Sequence, residues 1–375
     1  MKRPIPSVFS AYQTKIKQKH MPFHPVQIIV GPAALPATDN EAAPRRDYEQ
    51  LAAAAQSDVQ HWLPAPSALR GSRWQRLARS LSGNLRLALK LIRTVQPGSI
   101  VYTTGETWGL PVALTGMLRP RRNFAHIIYV HRVFSANWLR FLRIASRWLA
   151  VDGWICITQA QAHLLRSVLG KTAPITVVSQ GVDTHFFDPV KASRTQDTGY
   201  LLSIGAEMRD YALLFEAVDG LDMEVIVKAS STWMSGVREE MSTIPSNIRV
   251  ITERLSYTDL RDLYAGAQLV VVPLHQTLQA AGITTILEGM AMGKCVLATA
   301  SAGLPDALVH DQTGWITPST PQALRQAIQM LQQETDLRER LAQAGQHSAR
   351  TQYALENYIA AITAFFDKIA DAKFL

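Results

Sequence analysis

Short β-rich runs alternate with stretches of helical period from about residue 25 onward, and the alternation begins again near residue 200. A chain patterned this way folds as βαβ units, because two parallel strands need a crossover long enough to hold a helix. The first series reads as strands VQIIV (26–30), SIVYTT (99–104), HIIYVH (126–131), WICIT (154–158) and ITVVS (175–179). The second opens with YLLSIG (200–205) and continues through EVIVKA, IRVIT, QLVVVPL and CVLATA. Between them DPVKASRTQDTG (188–199) is polar and aperiodic, which reads as a linker with the boundary near residue 195. The pattern predicts an α/β protein of two Rossmann-like, doubly wound parallel-sheet domains. The first spans 1–190 and includes a basic segment, 1–24; the second spans 196–354. A last helix, 355–375, is placed to pack back on the first domain.

A length of 375 residues suits two such domains, and 47% hydrophobic residues supply their cores. Cys156 and Cys295 stand far apart in apolar runs, which excludes a disulfide framework and a cysteine metal site. Neither half contains a His/Cys/Asp cluster at metal-ligand spacing, so no metal and no bound cofactor are expected. The first twenty residues are basic but lack the apolar stretch of a secretory signal, and no apolar run reaches membrane-spanning length. A cytoplasmic protein is expected. There is no internal repeat.

Charge separates the halves. Residues 1–190 hold 23 Lys/Arg against 9 Asp/Glu, whereas residues 191–375 hold 15 against 21. Over 73–93, Trp74, Leu77, Ala78, Leu81, Leu85, Ala88, Leu89 and Ile92 share one helical face, while Arg76, Arg79, Arg86, Lys90 and Arg93 share the other. Ser82-Gly83-Asn84 is a point at which this helix could divide. A helix after Ser135 spaces Arg140, Arg143 and Arg147 on one side. These are either packed helices with solvated outer faces, or a surface for an anionic membrane or acidic acceptor, which would hold the protein peripherally on the inner membrane face. No nucleic-acid motif or stacking platform accompanies the charge, so nucleic acid is not an expected partner.

The most informative stretch is QAAGITTILEGMAMGK (279–294), which follows the strand QLVVVPL and opens a helix. Ile283, Ile286, Leu287 and Met290 form its core face, with Thr284 and Glu288 together on the flank. A carboxylate beside the core needs partners, and vicinal hydroxyls suit it. Gly282, Ile283, Thr284 and Thr285 present first-turn amides where a phosphate is stabilised. In the first half, Glu106 is the only acidic residue between Asp58 and Asp152 and follows a strand, where open parallel sheets bind ligands. It is a binding residue or a capping and ion-pairing one, and Trp108 lies close enough to shape an acceptor site.

The run GITTILEGMAMGKCVLATASAGLPDALVHDQTGWITPSTPQALRQAI (282–328) resembles the donor half of glycosyltransferase family 4, retaining enzymes of the GT-B fold. VVSQGVDTHFFDP (177–189) resembles that family's hinge, and YLLSIGAEMRDYALLFEAV (200–218) its first donor-domain strand and helix. The resemblance implies a glycosyltransferase, hexosyltransferase-like and metal-independent. Its donor would be a nucleotide-diphosphate sugar, with Gly205 and Gly282 to Thr285 in the donor site and Glu288 on the ribose. It also implies an acceptor, anionic, lipid-linked or a small molecule, bound mainly by the first domain. His131 best matches the strand-end histidine that faces the donor sugar; a strand-end histidine can equally be structural. Two positions depart from the family. Ala280 stands where the first of two glutamates holds the donor sugar, and Ala206 where an arginine often follows the glycine. Arg209 either serves the diphosphate instead or is a solvated helix charge. The alternative is a catalytically silent relative that binds nucleotide or glycan as a regulatory or assembly partner.

Overall fold

In a computed structural model of the chain, the structure describes residues 24–30, 42–61, 73–119, 122–131, 136–193, 199–229 and 244–375, without the side chains of 58, 61, 73–82, 136 and 137. The basic segment before residue 24, Arg132 and the linker residues 194–198 therefore lie outside the described residues, as do the side chains of Trp74, Arg76, Leu77, Ala78, Arg79 and Leu81.

The first unit runs β1 (Val26–Val30), α1 (Asp47–Ala54), β2 (Asp58–His61), α2 (Arg73–Thr94), β3 (Ser99–Thr103), α3 (Glu106–Gly116), β4 (Phe124–Val130), α4 (Ala136–Ala145), β5 (Gly153–Cys156), α5 (Gln159–Leu169) and β6 (Ile175–Val177). Its sheet has the order β2-β1-β3-β4-β5-β6, with every neighbouring pair parallel. The second unit runs β7 (Tyr200–Ile204), α6 (Tyr211–Val218), β8 (Val225–Lys228), β9 (Ile248–Ile251), α7 (Tyr257–Gly266), β10 (Ala267–Val272), α8 (Ile283–Ala291), β11 (Cys295–Thr299), β12 (Trp315–Thr317), α9 (Pro321–Gln333), α10 (Thr335–Thr351) and α11 (Leu355–Phe374). Its sheet, also parallel throughout, has the order β12-β11-β10-β7-β8-β9.

Central strands are buried along their whole length, and mostly apolar, because helices cover both faces. Every residue of β3, β4, β7 and β11 is buried. In the first sheet Ile28, Tyr102, Ile127 and Tyr129 face one core, with α1 and α11 over it. Val101, Ile128 and Trp154 alternate to the other face, where α2, α3, α4 and α5 pack. Helix α11 is covalently the end of the second unit but lies on the first: Phe365 and Phe366 join its core, and Lys373 Nζ reaches Asp152 Oδ1 at 2.7 Å. The chain crosses between units twice at one place. Val182 N donates to Tyr353 O at 2.8 Å and Leu355 N to Val182 O at 2.9 Å. A Cβ on Gly181 would fall 2.7 Å from Tyr358 Cβ and 3.0 Å from Leu355 Cα, so only glycine permits this crossing.

Three expectations change in detail. Helix α2 is continuous through Ser82-Gly83-Asn84. Gly83 has open space around it, and buried Asn84 points its Nδ2 at Thr107 O, 3.5 Å away, so packing on α3 outweighs the roughly 1 kcal/mol cost of a helical glycine. Leu85 is half exposed while Leu91 takes a core position. Helix α4 ends at Ala145, which leaves Arg147 in the following turn. Strands β2 and β12 were not anticipated: one is polar, the other three residues long, and both lie at sheet edges.

Candidate functional site

In an open parallel sheet the ligand crevice forms beyond the carboxyl ends of the strands, where the strand order reverses direction. For the second sheet that point lies between β7 and β10, and the predicted donor residues gather there. Gly205 leaves β7 with φ +105°, a backbone only glycine adopts readily. The chain then doubles back, and Arg209 bridges to Leu274 just after β10. Gly282, at φ +80°, opens α8 as its N-cap and contributes no side-chain bond to the exposed amides of the first turn.

Arg209 lies at the centre of this arrangement and is only 7% exposed, so it is not a solvated helix charge. Its Nε donates to Ile204 O at 3.1 Å, one terminal nitrogen to Glu207 O at 3.0 Å, and the other to Thr285 Oγ1 at 3.0 Å. Among the described residues no carboxylate forms an ion pair with it. Burial lowers its pKa, against the weaker fields of Tyr211, Tyr264 and Glu207. The guanidinium sits beside both glycines, 2.7 Å from where a Gly205 Cβ would stand and 3.6 Å from that of Gly282. A buried cation that no carboxylate hydrogen-bonds, next to helix amides and under two side-chain-free residues, has the chemistry to receive an anion.

One turn into α8, Glu288 is buried and accepts a 2.7 Å hydrogen bond from the Tyr264 hydroxyl of α7. Burial pushes its carboxyl up to about 7, with the Tyr264 bond opposing. Thr285, not Thr284, is the buried hydroxyl of this helix; Thr284 is exposed, so the flank pairing with Glu288 does not form the core-side contact expected. Ile283 is buried against the core. Ala280 packs on the same core, and beside it Gln279 Nε2 donates to Glu207 Oε1 at 2.5 Å, which puts amide and carboxylate groups next to the missing family glutamate.

Across the cleft, Glu106 is the first residue of α3, and its Oε2 accepts the His131 backbone N–H at 3.1 Å. His131 follows the last residue of β4; its carbonyl accepts from Gln161 Nε2 at 3.3 Å and its ring lies edge-on to Tyr129, 4.8 Å between centroids. The two residues singled out in the first half are thus neighbours, joined through the main chain. Trp108 packs against the α2 side of the sheet, yet its ring edge also borders this pair: a Cβ on Gly105 would fall 3.6 Å from His131 Cδ2 and 3.9 Å from Trp108 Cδ1.

Two residues that share a cavity with His131 escaped the sequence. Asp47 of α1 and Tyr358 of α11 join Tyr48, Leu51, Tyr102, Thr104, Tyr129 and His131 around a cavity of about 20 Å³, enough for one water-sized group. Burial raises the Asp47 carboxyl, against weaker opposing hydrogen bonds and the field of His131. The acidic first turn of DYEQL was the one available signal for Asp47. Nothing local marks Tyr358, whose hydroxyl lies 3.4 Å from Asp47 Oδ2 across 311 residues of sequence. Among the described residues no group of His, Cys, Asp and Glu is arranged to hold a metal.

The family model described as Glycosyltransferase Family 4 matches residues 24–186, and that described as Glycosyl transferases group 1 matches residues 244–348. No curated protein matches the chain. A solved glycosyltransferase from Rickettsia africae superposes with TM-score 0.69 at 17% identity, over 92% of this chain and 98% of that one. Sucrose-phosphate synthase from Thermosynechococcus elongatus does so with TM-score 0.70 at 16% identity, over 93% and 100%. HepE of Anabaena, solved in complex with UDP and glucose, gives TM-score 0.65 at 14% identity, over 92% and 99%. At such identities the likeness carries the fold. With one model matching within each half and the fold shared over 92–93% of the chain, this chain belongs to the family 4 glycosyltransferases of the GT-B fold.

Proposed function

We propose that the chain transfers a sugar from a nucleotide-diphosphate donor, held at the β7/β10 crevice, to an acceptor on the first unit, with retention of configuration and without a metal requirement. The observation that carries this reading is the buried, unpaired guanidinium of Arg209 beside the first turn of α8. As the glycosidic bond to the donor breaks, negative charge grows on the departing diphosphate, and fixed donors already aimed there stabilise it without reorganising. Glu288, once ionised, accepts from the ribose hydroxyls and takes no part in proton transfer. His131 and Glu106 face the crevice from the other side, where the donor sugar and the acceptor would meet. Because HepE was solved with UDP and glucose, UDP-glucose is the first donor to test. The acceptor is taken to be anionic, lipid-linked or a small molecule, reached from the cytoplasmic side of the membrane.

Titration calorimetry with UDP and with uridine tests the anion socket. The intact protein should bind UDP well above uridine, and Arg209→Met should lower UDP affinity by about 10- to 100-fold, the range of a lost charged hydrogen bond, while leaving uridine unchanged. Equal binding of UDP and uridine would overturn the assignment. Slow UDP-glucose hydrolysis that persists with chelator is expected of an enzyme. Because Ala280 replaces a donor-sugar glutamate, nucleotide binding without any hydrolysis would instead identify a silent relative.

A further inference from the structure

Helices α2, α3, α4 and α5 cover one face of the first sheet, and the charge on that face has a single sign. Between Asp58 and Asp152 the sequence holds fourteen Lys/Arg and one acid, Glu106, which is taken up at the cleft. Arg86, Lys90, Arg93, Arg119, Arg140, Arg143 and Arg147 are exposed. Among the described residues none of these seven forms an ion pair with a carboxylate.

Large apolar side chains stand among these cations without cover. Ile144 is 68% exposed, Trp148 61% and Leu118 72%. They belong to one neighbourhood. The turn after α4 is pinned to the end of α3 by Ala150 N donating to Ala113 O at 3.3 Å, and a Cβ on Gly116 would fall 2.5 Å from Ala150 Cβ. Trp148 therefore lies two residues from the contact that Leu118 follows by two. Both helices run back from the carboxyl ends of their strands, so this corner lies at the edge of the sheet opposite the cleft.

We propose that this face docks on an anionic lipid bilayer, with Trp148, Ile144 and Leu118 entering the headgroup layer and the arginines of α4 and its turn resting on lipid phosphates. Three features select that occupant. An indole and two aliphatic chains flanked by guanidinium groups suit a boundary that is apolar below and anionic above. A second copy paired symmetrically on this face would bring two cationic faces together. The segment before residue 24 cannot neutralise the face either, since it holds five Lys/Arg and no acid. The proposal deepens the acceptor side of the reading above by naming the surface, a membrane, from which the enzyme works. Docking at the far edge leaves the donor crevice open.

The full chain is to be sedimented with phosphatidylcholine vesicles, with and without phosphatidylglycerol, at low and high salt. Binding to the anionic vesicles at low salt, with loss at high salt, is expected, because surface charges are screened within about 8 Å at physiological ionic strength. Arg140→Gln, Arg143→Gln and Arg147→Gln together should lower partitioning on the order of 100-fold, at about fivefold per basic residue near an anionic surface. Trp148→Ser with Ile144→Ser should lower it at low salt too, with the charge intact; both side chains are exposed, so the fold should tolerate the change. Equal binding to both vesicle types, no binding to either, wild-type partitioning by the Trp148/Ile144 variant, or retention by soluble polyglutamate in preference to vesicles would each overturn the proposal. The melting-temperature shift with UDP-glucose is read in parallel on every variant. If that shift is absent while vesicle binding follows the expected pattern, the donor assignment falls and the docking surface stands.

Discussion

Glu288 shows how a buried carboxylate proposed to hold the ribose weakens the fold around it. Its carboxyl moves from an ordinary 4.5 to about 7 because burial penalises the ionised form. Between those values the folded chain keeps a proton that the unfolded chain has released, so stability falls as pH rises through the window. Above it the cost is complete, on the order of 3 kcal/mol. Glu288→Gln should therefore melt higher than the parent above pH about 7 and show a flatter fall between pH about 5 and 7, while binding UDP about 10-fold or more weakly. Thermal melts across pH, paired with calorimetry, check both; a parallel pH dependence in the two proteins would remove Glu288 as its source. His126 behaves in the opposite sense. Burial lowers it to about 4, with Nδ1 2.9 Å from Ala150 O, so its contribution rises with pH between about 4 and 6.5.

Among the elements, α11 is held by contacts spread along its length. Glu356 near its start reaches Arg45 at 2.7 Å, and Arg45 also forms a two-point pair with Asp183 of the hinge. Burial would raise Asp183, but the Arg45 bonds outweigh it and the carboxyl titrates low. At the far end Lys373 and Arg122 share Asp152, which also accepts from His126 N. The crossing of the hinge under α11 is the tightest point. Gly181→Ala forces a methyl against Leu355 Cα and Tyr358 Cβ, and it should destabilise by about 1–3 kcal/mol, the usual range for an overpacked site. Urea melts give the magnitude, and faster amide exchange over 355–374 should accompany it. Unchanged exchange there would place the strain elsewhere.

At the scale of the molecule, the two crevices face each other, and among the described residues a hydrogen bond spans them directly: Asp306 Oδ2 accepts from Gln159 N at 3.0 Å, at the start of α5. That helix already has Thr158 as its capping hydroxyl, so the carboxylate adds a charge to an N-terminus that favours one. The bond exists only while the units are close. Asp306→Ala should leave UDP affinity within about threefold and shift the population toward wider separation, read as a larger radius of gyration by solution scattering with UDP bound. A parallel loss of UDP affinity and scattering change would mean that Asp306 serves the donor site itself. No helix among the described residues is long and apolar enough to cross a membrane.

Local sequence was enough for whatever repeats within about a dozen residues. Alternating apolar strands and crossovers determined two parallel sheets, and the spacing from Gly282 to Glu288 determined a helix whose N-terminus and carboxylate share one crevice. Glu106 and His131 were legible as strand-end residues, because the ends of parallel strands form the cleft. Tertiary structure decided the rest. The sequence leaves Arg209 between a diphosphate partner and a solvated helix charge until the strand switch point encloses it, and Glu288 acquires Tyr264 from a separate helix. Asp47 meets Tyr358, and Asp152 meets Lys373, only because α11 returns to the first unit. Such contacts close loops of hundreds of residues, whose entropy grows only slowly with length. They are chosen by which apolar faces remain to be covered once the sheets have formed, and no local period records that choice.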